Sequence, residues 1–272
     1  MDHGQDLAVI TGGARGIGRH LADAFARAGY AVLLTATDGQ RASAAAAELA
    51  ADTAGRVSGA ALDAGDPASV AALAARVDEA QEALGARLRV LVNNAGRIES
   101  TEGPVWEADP AALAAVVAAN VAGPLLVVNA LAPLLLATAE ATGRPARIID
   151  LNSGSGAQGT NAYAAYSASK LALFRLADSV QHYGFDRGLR IFELSPGVIR
   201  SDMTGSMPVH AERTEWTDPA EVAALALALA GGELDAWSGR YVRAGLDTPE
   251  SLARRAAAGP LPAGLRRATV EM

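Results

Sequence analysis

Between the apolar run Leu7-Ala-Val-Ile10 and the helical pattern of Ile17–Ala28 lies Thr11-Gly-Gly-Ala-Arg-Gly-Ile-Gly18, with glycines at 12, 16 and 18. A strand that turns into a helix through such a segment leaves few folds open. Glycine permits the tight turn, lets backbone approach a pyrophosphate, and lets the helix pack close to the strand. The helix beginning near Gly16 aims free N–H groups at the same spot, which favours an anion. A glycine-rich turn alone is a moderate signal. The strand before it and the helix after it make it a dinucleotide-type phosphate site.

The remaining pattern alternates. Ala31–Leu34, Val57–Leu62, Leu88–Val92, Ile148–Leu151, Leu189–Leu194 and Tyr241-Val242 read as further strands. Helical segments fall around Ser43–Ala51, after Asp66-Pro67, and over Pro110–Ala137, Tyr163–Tyr183 and Pro219–Ala230. The first helix stops at Gly29, and Asp66-Pro67 combines a capping acid with a first-turn proline. Strands alternating with helices predict an α/β fold: a parallel sheet covered on both faces. No repeat or linker divides the 272 residues. Residues 1–246 are expected to form one domain, and 247–272 a C-terminal extension packing on it or trailing from it.

Composition excludes several classes. A net charge of −7 argues against a nucleic-acid partner. With no cysteine there are no disulfides or thiolate metal sites, and the four histidines lack ligand spacing, so no metal is expected. The polar start Met1-Asp-His-Gly-Gln-Asp6 lacks a signal-peptide core, and a cytoplasmic location is expected. The longest apolar stretch, Val121–Ala139, contains Gly123, Pro124, Asn129, Pro133 and Thr138, and reads as a buried helix rather than a membrane span.

The chemistry concentrates near the middle of the chain. Tyr166 and Lys170 are one helical turn apart in Tyr-Ser-Ala-Ser-Lys, so phenol and ammonium leave the same helix face. A free phenol has a pKa of about 10. A neighbouring cation is expected to favour the phenolate and bring it toward the range useful for acid/base work. Ser153 lies thirteen positions upstream of Tyr166, where a hydroxyl can hold a substrate oxygen. None of Tyr30, Tyr163, Tyr183 or Tyr241 has a lysine four residues on. Asn93-Asn94-Ala95-Gly96 ends the fourth strand, where paired asparagines either fix turns or line a ligand crevice. Asn120, a poor helix former inside a helical run, reads as a kink or as a contact to water or cofactor.

These residues together resemble the short-chain dehydrogenase/reductase family, in its single-domain branch. The resemblance runs from about Asp6 to Gly245 and rests on the turn at 11–18, Asp63, Asn93–Gly96, Asn120, Ser153, Tyr166 with Lys170, and Pro196-Gly197. It implies a single Rossmann-type doubly wound parallel sheet of about seven strands. The implied activity is NAD(P)-dependent hydride transfer between nicotinamide and a small-molecule carbonyl or alcohol. Tyr166 would then be proton donor or acceptor, Ser153 the substrate-oxygen anchor, Lys170 the ribose ligand that lowers the tyrosine pKa, and Asn120 the holder of a relay water. The implied cofactor contacts are Gly12, Ala14, Arg15, Gly16, Ile17, Gly18, Thr37, Asp63, Ala64, Asn93, Ala95, Gly96, Tyr166, Lys170, Pro196, Gly197 and Ile199.

The second strand ends at Ala36-Thr37, without the acid that NAD-preferring members usually place there. This segment and Arg15 look like the NADPH-dependent β-ketoacyl-acyl-carrier-protein reductases, so NADP is the expected cofactor and NAD the alternative. Asp38, one residue later, is the departure. The ending Trp237-Ser-Gly-Arg-Tyr-Val-Arg-Ala-Gly245 also departs, so an acyl-carrier substrate is not carried over. Ile199–Thr217 occupies the family's mobile substrate loop. A homodimer or homotetramer is implied, through Val121–Leu136 and Leu171–Val180. Two further readings fit the same fold: a redox-neutral epimerase, and a non-catalytic dinucleotide sensor.

Overall fold

An acid followed by proline starts three of the helices. Asp66, Asp109 and Asp218 each accept a hydrogen bond from the backbone N–H two residues on, and Pro67, Pro110 and Pro219 occupy the first turn. The carboxylate satisfies a donor the helix cannot, and proline removes an N–H that would be orphaned. The computed structural model describes His3 and residues 5–269. Its elements begin β1 (Asp6–Ile10), α1 (Gly16–Arg27), β2 (Ala31–Ala36), α2 (Gly39–Thr53) and β3 (Val57–Ala61). There follow α3 (Pro67–Ala71), α4 (Leu73–Leu84), β4 (Arg87–Asn93), α5 (Pro110–Val117), α6 (Gly123–Thr142) and β5 (Ala146–Leu151). The chain continues through α7 (Gly154–Gln158), α8 (Ala164–Gly184), β6 (Leu189–Ser195) and α9 (Asp202–Gly205). It ends with α10 (Pro219–Gly231), β7 (Arg240–Arg243) and α11 (Pro249–Ala257).

The sheet has seven parallel strands in the order β3-β2-β1-β4-β5-β6-β7. The chain crosses from β3 back over to β4, so connections leave β1 and β4 in opposite directions. That opens a crevice at their C-terminal ends. Both faces are apolar, which explains why the strand runs are continuous rather than alternating. On one face Leu21, Phe25, Leu49, Leu225 and Trp237 cover Ile10, Leu34 and Val92. On the other Leu73, Val77, Leu131, Leu135 and Leu176 cover Val9, Leu33, Leu91 and Ile148.

The sequence pattern predicts one helix over Pro110–Ala137. The chain instead forms α5 and α6 joined by a π turn at Ala118–Ala122, and α6 runs on to Thr142. Pro124 has no N–H to give, and a Cβ on Gly123 would lie 2.9 Å from the Ala64 carbonyl oxygen. Pro110–Thr142 is long and apolar enough to cross a membrane by length and composition. Here Val127, Leu131 and Leu135 are buried against the sheet.

Residues beyond β7 fold back on its outer edge. The Tyr241 N–H donates to the Arg266 carbonyl, and the Arg240 guanidinium donates to the Pro262 and Leu265 carbonyls. Trp237 Nε1 donates to the Leu252 carbonyl, and Arg266 pairs with Asp247. This cover leaves the edge strand with fewer free backbone groups.

Candidate active site

The glycine turn is clamped from two neighbouring strands. Thr35 in β2 accepts from the Gly12 N–H at its hydroxyl (3.2 Å) and from Gly13 at its carbonyl (2.9 Å). The Thr11 hydroxyl accepts from the Asn94 and Ala95 N–H groups, both at 3.0 Å, while Asn94 Nδ2 donates to the carbonyls of Thr11 (2.8 Å) and Gly12 (3.1 Å). Gly12 holds φ +65°, and a Cβ on Gly18 would sit 2.4 Å from the Gly12 carbonyl oxygen. Ala14 and Ile17 are partly buried and pack on the apolar core. No side chain caps α1, whose N-cap is Arg15, and its leading N–H groups are left for an anion. Gly16, at φ +54° with open space where a Cβ would be, completes a cradle that fits a pyrophosphate. Asn94 fixes a turn, one of the two roles the asparagine pair offers, whereas Thr35 carries no such expectation. A buried threonine one residue inside the strand end is the signal that was available.

Ser153, Tyr166 and Lys170 meet where β5 and β6 end. Ser153 caps α7, accepts from the Ser155 N–H, and shares a 2.7 Å hydrogen bond with the Ser155 hydroxyl. Lys170 is buried; its Nζ donates to the Leu151 carbonyl at 2.6 Å and lies 5.6 Å from the centre of the Tyr166 ring. The expected depression of the tyrosine by this cation is not what the structure has. Burial pushes the Tyr166 phenol up, the Ser153 hydroxyl opposes the rise, and Glu99 and Tyr241 add to it. Lys170 is itself drawn down to about 8 by burial, against the pull of Glu193 and Asp150. Its ammonium donates to the Leu151 carbonyl, and the charges of those two acids act on it from β5 and β6. Lys170 is also the only lysine among 23 lysines and arginines.

Glu99 was missed by the sequence reading. It is buried, and its carboxylate accepts from the Ala165 N–H at 2.7 Å and from the Tyr166 N–H at 3.2 Å. The helix α8 has no cap of its own, because Tyr163 at its N-cap sits at φ +57° with its side chain directed to Glu102. Glu99 caps it from another loop, fixing the turn that carries Tyr166. Asp150 and Glu193 were missed as well, although each sits among buried apolar residues of its strand. Burial raises both carboxyls, Glu193 well above the ordinary range.

Other expected residues separate by environment. Asn93 does not present its amide to the crevice: it is buried and donates to Asp150 Oδ1 at 2.8 Å. Asn120 sits in the π turn, where its two amide protons go to the Arg97 carbonyl (2.8 Å) and the Ser169 hydroxyl (3.0 Å). Its Oδ1 accepts from the Arg97 N–H, so no side-chain donor remains for a relay water. A Cβ on Gly96 would lie 3.2 Å from that Oδ1, and Ala95 borders the Gly12 turn. Asp63 closes a local turn onto the Gly65 N–H at 2.9 Å, and Ala64 is buried. Thr37 is exposed, and Asp38 caps α2 by accepting from Gln40 and Arg41. Arg15 reaches 2.9 Å to Asp202 at the start of α9, with both side chains exposed. Pro196 and Gly197 follow β6; Gly197 holds φ +70° against Thr217, and Ile199 is buried.

Comparison with known proteins adds independent findings. Residues 6–211 match the family model described as short chain dehydrogenase. The chain is 34% identical over 262 residues to the short chain dehydrogenase mpl6 of Monascus purpureus, covering 93% of this chain and 85% of that protein. It is 35% identical over 244 residues to the rhamnolipids biosynthesis 3-oxoacyl-[acyl-carrier-protein] reductase of Pseudomonas aeruginosa, with 83% and 89% covered. A solved structure described as the Pseudomonas aeruginosa RhlG/NADP active-site complex superposes with a TM-score of 0.78 at 29% identity, covering 89% of this chain and 95% of that one.

Proposed function

We propose, for a chain that belongs to the short-chain dehydrogenase family and is an NAD(P)-dependent oxidoreductase acting between CH–OH and C=O groups, that Tyr166 exchanges a proton with the substrate oxygen. Ser153 hydrogen-bonds the same oxygen. The observation that carries this reading is the meeting of Ser153, Tyr166 and Lys170 at the end of the parallel sheet where the glycine turn also lies. The nicotinamide, when bound, supplies or takes the hydride. A half-buried phenol kept in its protonated form suits the donor role in carbonyl reduction. Lys170 holds cationic charge beside it, and the residues of the glycine turn hold the phosphates. A panel of ketones and alcohols, followed at the nicotinamide absorbance with both cofactors, tests the reading. No turnover with any small carbonyl or alcohol would count against it.

The cofactor is read as NADP(H). Ala36 ends β2 without an acid, Arg15 supplies a cation beside the turn, and the relative of solved structure is described as an NADP complex. Binding a 2′-phosphate requires Arg15 to leave Asp202, an exposed pair whose loss costs under about 1 kcal/mol. Arg15→Ala is expected to weaken NADPH by about 1.5–3 kcal/mol and to leave NADH nearly unchanged. Asp38→Ser keeps the cap and removes the charge, and should tighten NADPH. Titrating both cofactors into the variants checks this, and NADH weakened by Asp38→Ser would reverse the assignment.

Glu99→Ala leaves the Ala165 and Tyr166 N–H groups without their acceptor. The expected loss is about 1–3 kcal/mol of stability, read by thermal or denaturant unfolding. An unchanged midpoint would remove the capping role.

The enzyme is read as a homo-oligomer in the cytoplasm. Val117, Leu125 and Leu171 stand 46–49% exposed on α5, α6 and α8, which is apolar surface for a second copy. Light scattering should give a multiple of 27.6 kDa at micromolar concentration; a monomer mass there would refute it.

A further inference from the structure

Two acids occupy paired positions on adjacent interior strands of the sheet. Asp150 in β5 is opposite Glu193 in β6, and the row continues to Asn93 in β4 and Tyr241 in β7. Both acids are fully buried. Asn93 Nδ2 donates to Asp150 Oδ1 at 2.8 Å, and Asn152 Nδ2 donates to Glu193 Oε2 at 2.5 Å. Their second oxygens, Asp150 Oδ2 and Glu193 Oε1, have no donor among the described residues. Paired residues of adjacent strands lie about 5 Å apart and share a face. Two buried carboxylates at that spacing cannot both stay ionised. One proton held between them satisfies both oxygens and leaves a single negative charge.

The cation above this row is Lys170, whose Nζ donates to Leu151, the residue after Asp150. An isolated buried ammonium is costly, and an arginine in its place would bring five donors where the structure offers Lys170 one carbonyl. We infer that Asp150 and Glu193 form a proton-sharing pair whose one negative charge is the counter-ion that keeps the buried Lys170 ammonium charged and in place. This rests on Lys170 belonging to the site proposed above. The groups facing Lys170 are Asp150 from β5, Glu193 from β6 and Tyr166 from its own helix; Tyr166 in turn faces Ser153, Glu99 and Tyr241. Asp150 and Glu193 are positioning residues, acting through Lys170.

Because the chain has one lysine, side-chain-labelled lysine gives one NMR signal for its titration. Asp150→Asn, Glu193→Gln and the double variant are compared with the parent. Either single substitution lets the remaining acid ionise, so the charge stays and the lysine midpoint moves by less than about one unit. The double variant removes the charge, and the midpoint falls by about 1–3 units. Turnover near neutral pH should follow, retained in the single variants and lost in the double. Equal, additive shifts from the two single variants would mean two separate charges and would overturn the pair. So would an unmoved midpoint in the double. Should the double variant fail to fold, infrared spectroscopy of the parent decides: a protonated-carboxyl band at neutral pH, lost in each single variant, is expected, and its absence overturns the inference. The lysine titration is independent of turnover. A failed chemical role for Tyr166 would therefore leave this result standing.

Discussion

Tyr166→Phe is expected to lower turnover by roughly two to four orders of magnitude while leaving cofactor affinity within a small factor. The substitution keeps the ring, which packs beneath the Lys170 ammonium, and removes only the hydroxyl facing Ser153. The backbone N–H of residue 166 still donates to Glu99, so α8 keeps its cap. The missing function is therefore the proton. In the reducing direction the phenol must be protonated, and burial holds it so above its ordinary range. The high-pH limit of the parent should then come from Lys170, whose positive charge is present below about pH 8 and lost above it. Reduction by the parent should decline as pH rises through that value, because the lost cation no longer offsets the phenolate left when Tyr166 gives up its proton. The residual rate of the variant, which forms no phenolate, should lack this decline. Near-parental turnover in Tyr166→Phe would remove Tyr166 from the chemistry.

The sheet was legible because buried parallel strands leave continuous apolar runs, and because glycine and Asp-Pro mark where helices stop and start. Leu7–Ile10, Ala31–Leu34 and Leu88–Val92 all lie within strands of the structure. The break at Ala118–Ala122 was signalled only by Asn120, a poor helix former; its π geometry was not legible, since alanine and valine suit an α-turn and a π turn equally, and Gly123 crowds against Ala64 beside it. The glycine turn and the tyrosine–lysine spacing are local, so sequence displays them directly. Asn93 and Glu99 depend on which neighbour each side chain meets, and that neighbour is 57 or 66 residues away. Likewise, the lysine's effect on the tyrosine follows from spacing only if nothing else competes for the ammonium. Asp150, Glu193 and the Leu151 carbonyl compete for it, and burial then dominates the phenol. Sequence alone leaves Arg15 a free cation, because its partner Asp202 begins α9, 187 residues on.

Gly18→Ala should destabilise the protein, against the usual sign for a helix. At an ordinary helical position alanine gains about 0.5–1 kcal/mol over glycine by restricting the unfolded chain. Gly18 is in the first turn of α1, yet a Cβ there would lie 2.4 Å from the Gly12 carbonyl oxygen and 2.5 Å from Asn94 Nδ2. The oxygen is backbone and cannot swing away. Asn94 cannot yield cheaply either, because its amide holds the Thr11 and Gly12 carbonyls. Relief requires the turn to separate from β4, breaking the contacts that shape the cradle. The expected cost is about 1–3 kcal/mol, as for other overpacked sites. At this chain length each kcal/mol lowers the melting temperature by roughly 2–4 °C. The melt is measured without cofactor, so it reads the steric clash alone. A separate titration should show NADPH bound at least about tenfold more weakly, the effect of about 1.4 kcal/mol on an equilibrium, because the displaced turn no longer presents its N–H groups together. Gly16→Ala is the control: its Cβ would meet nothing within 4 Å, and its only cost is the positive φ, about 1–2 kcal/mol. It should bind cofactor better than Gly18→Ala does. A Gly18→Ala protein that melts at or above the parent temperature would show that the turn relaxes around the added methyl, and that the close approach of α1 to β4 is not what holds the cradle.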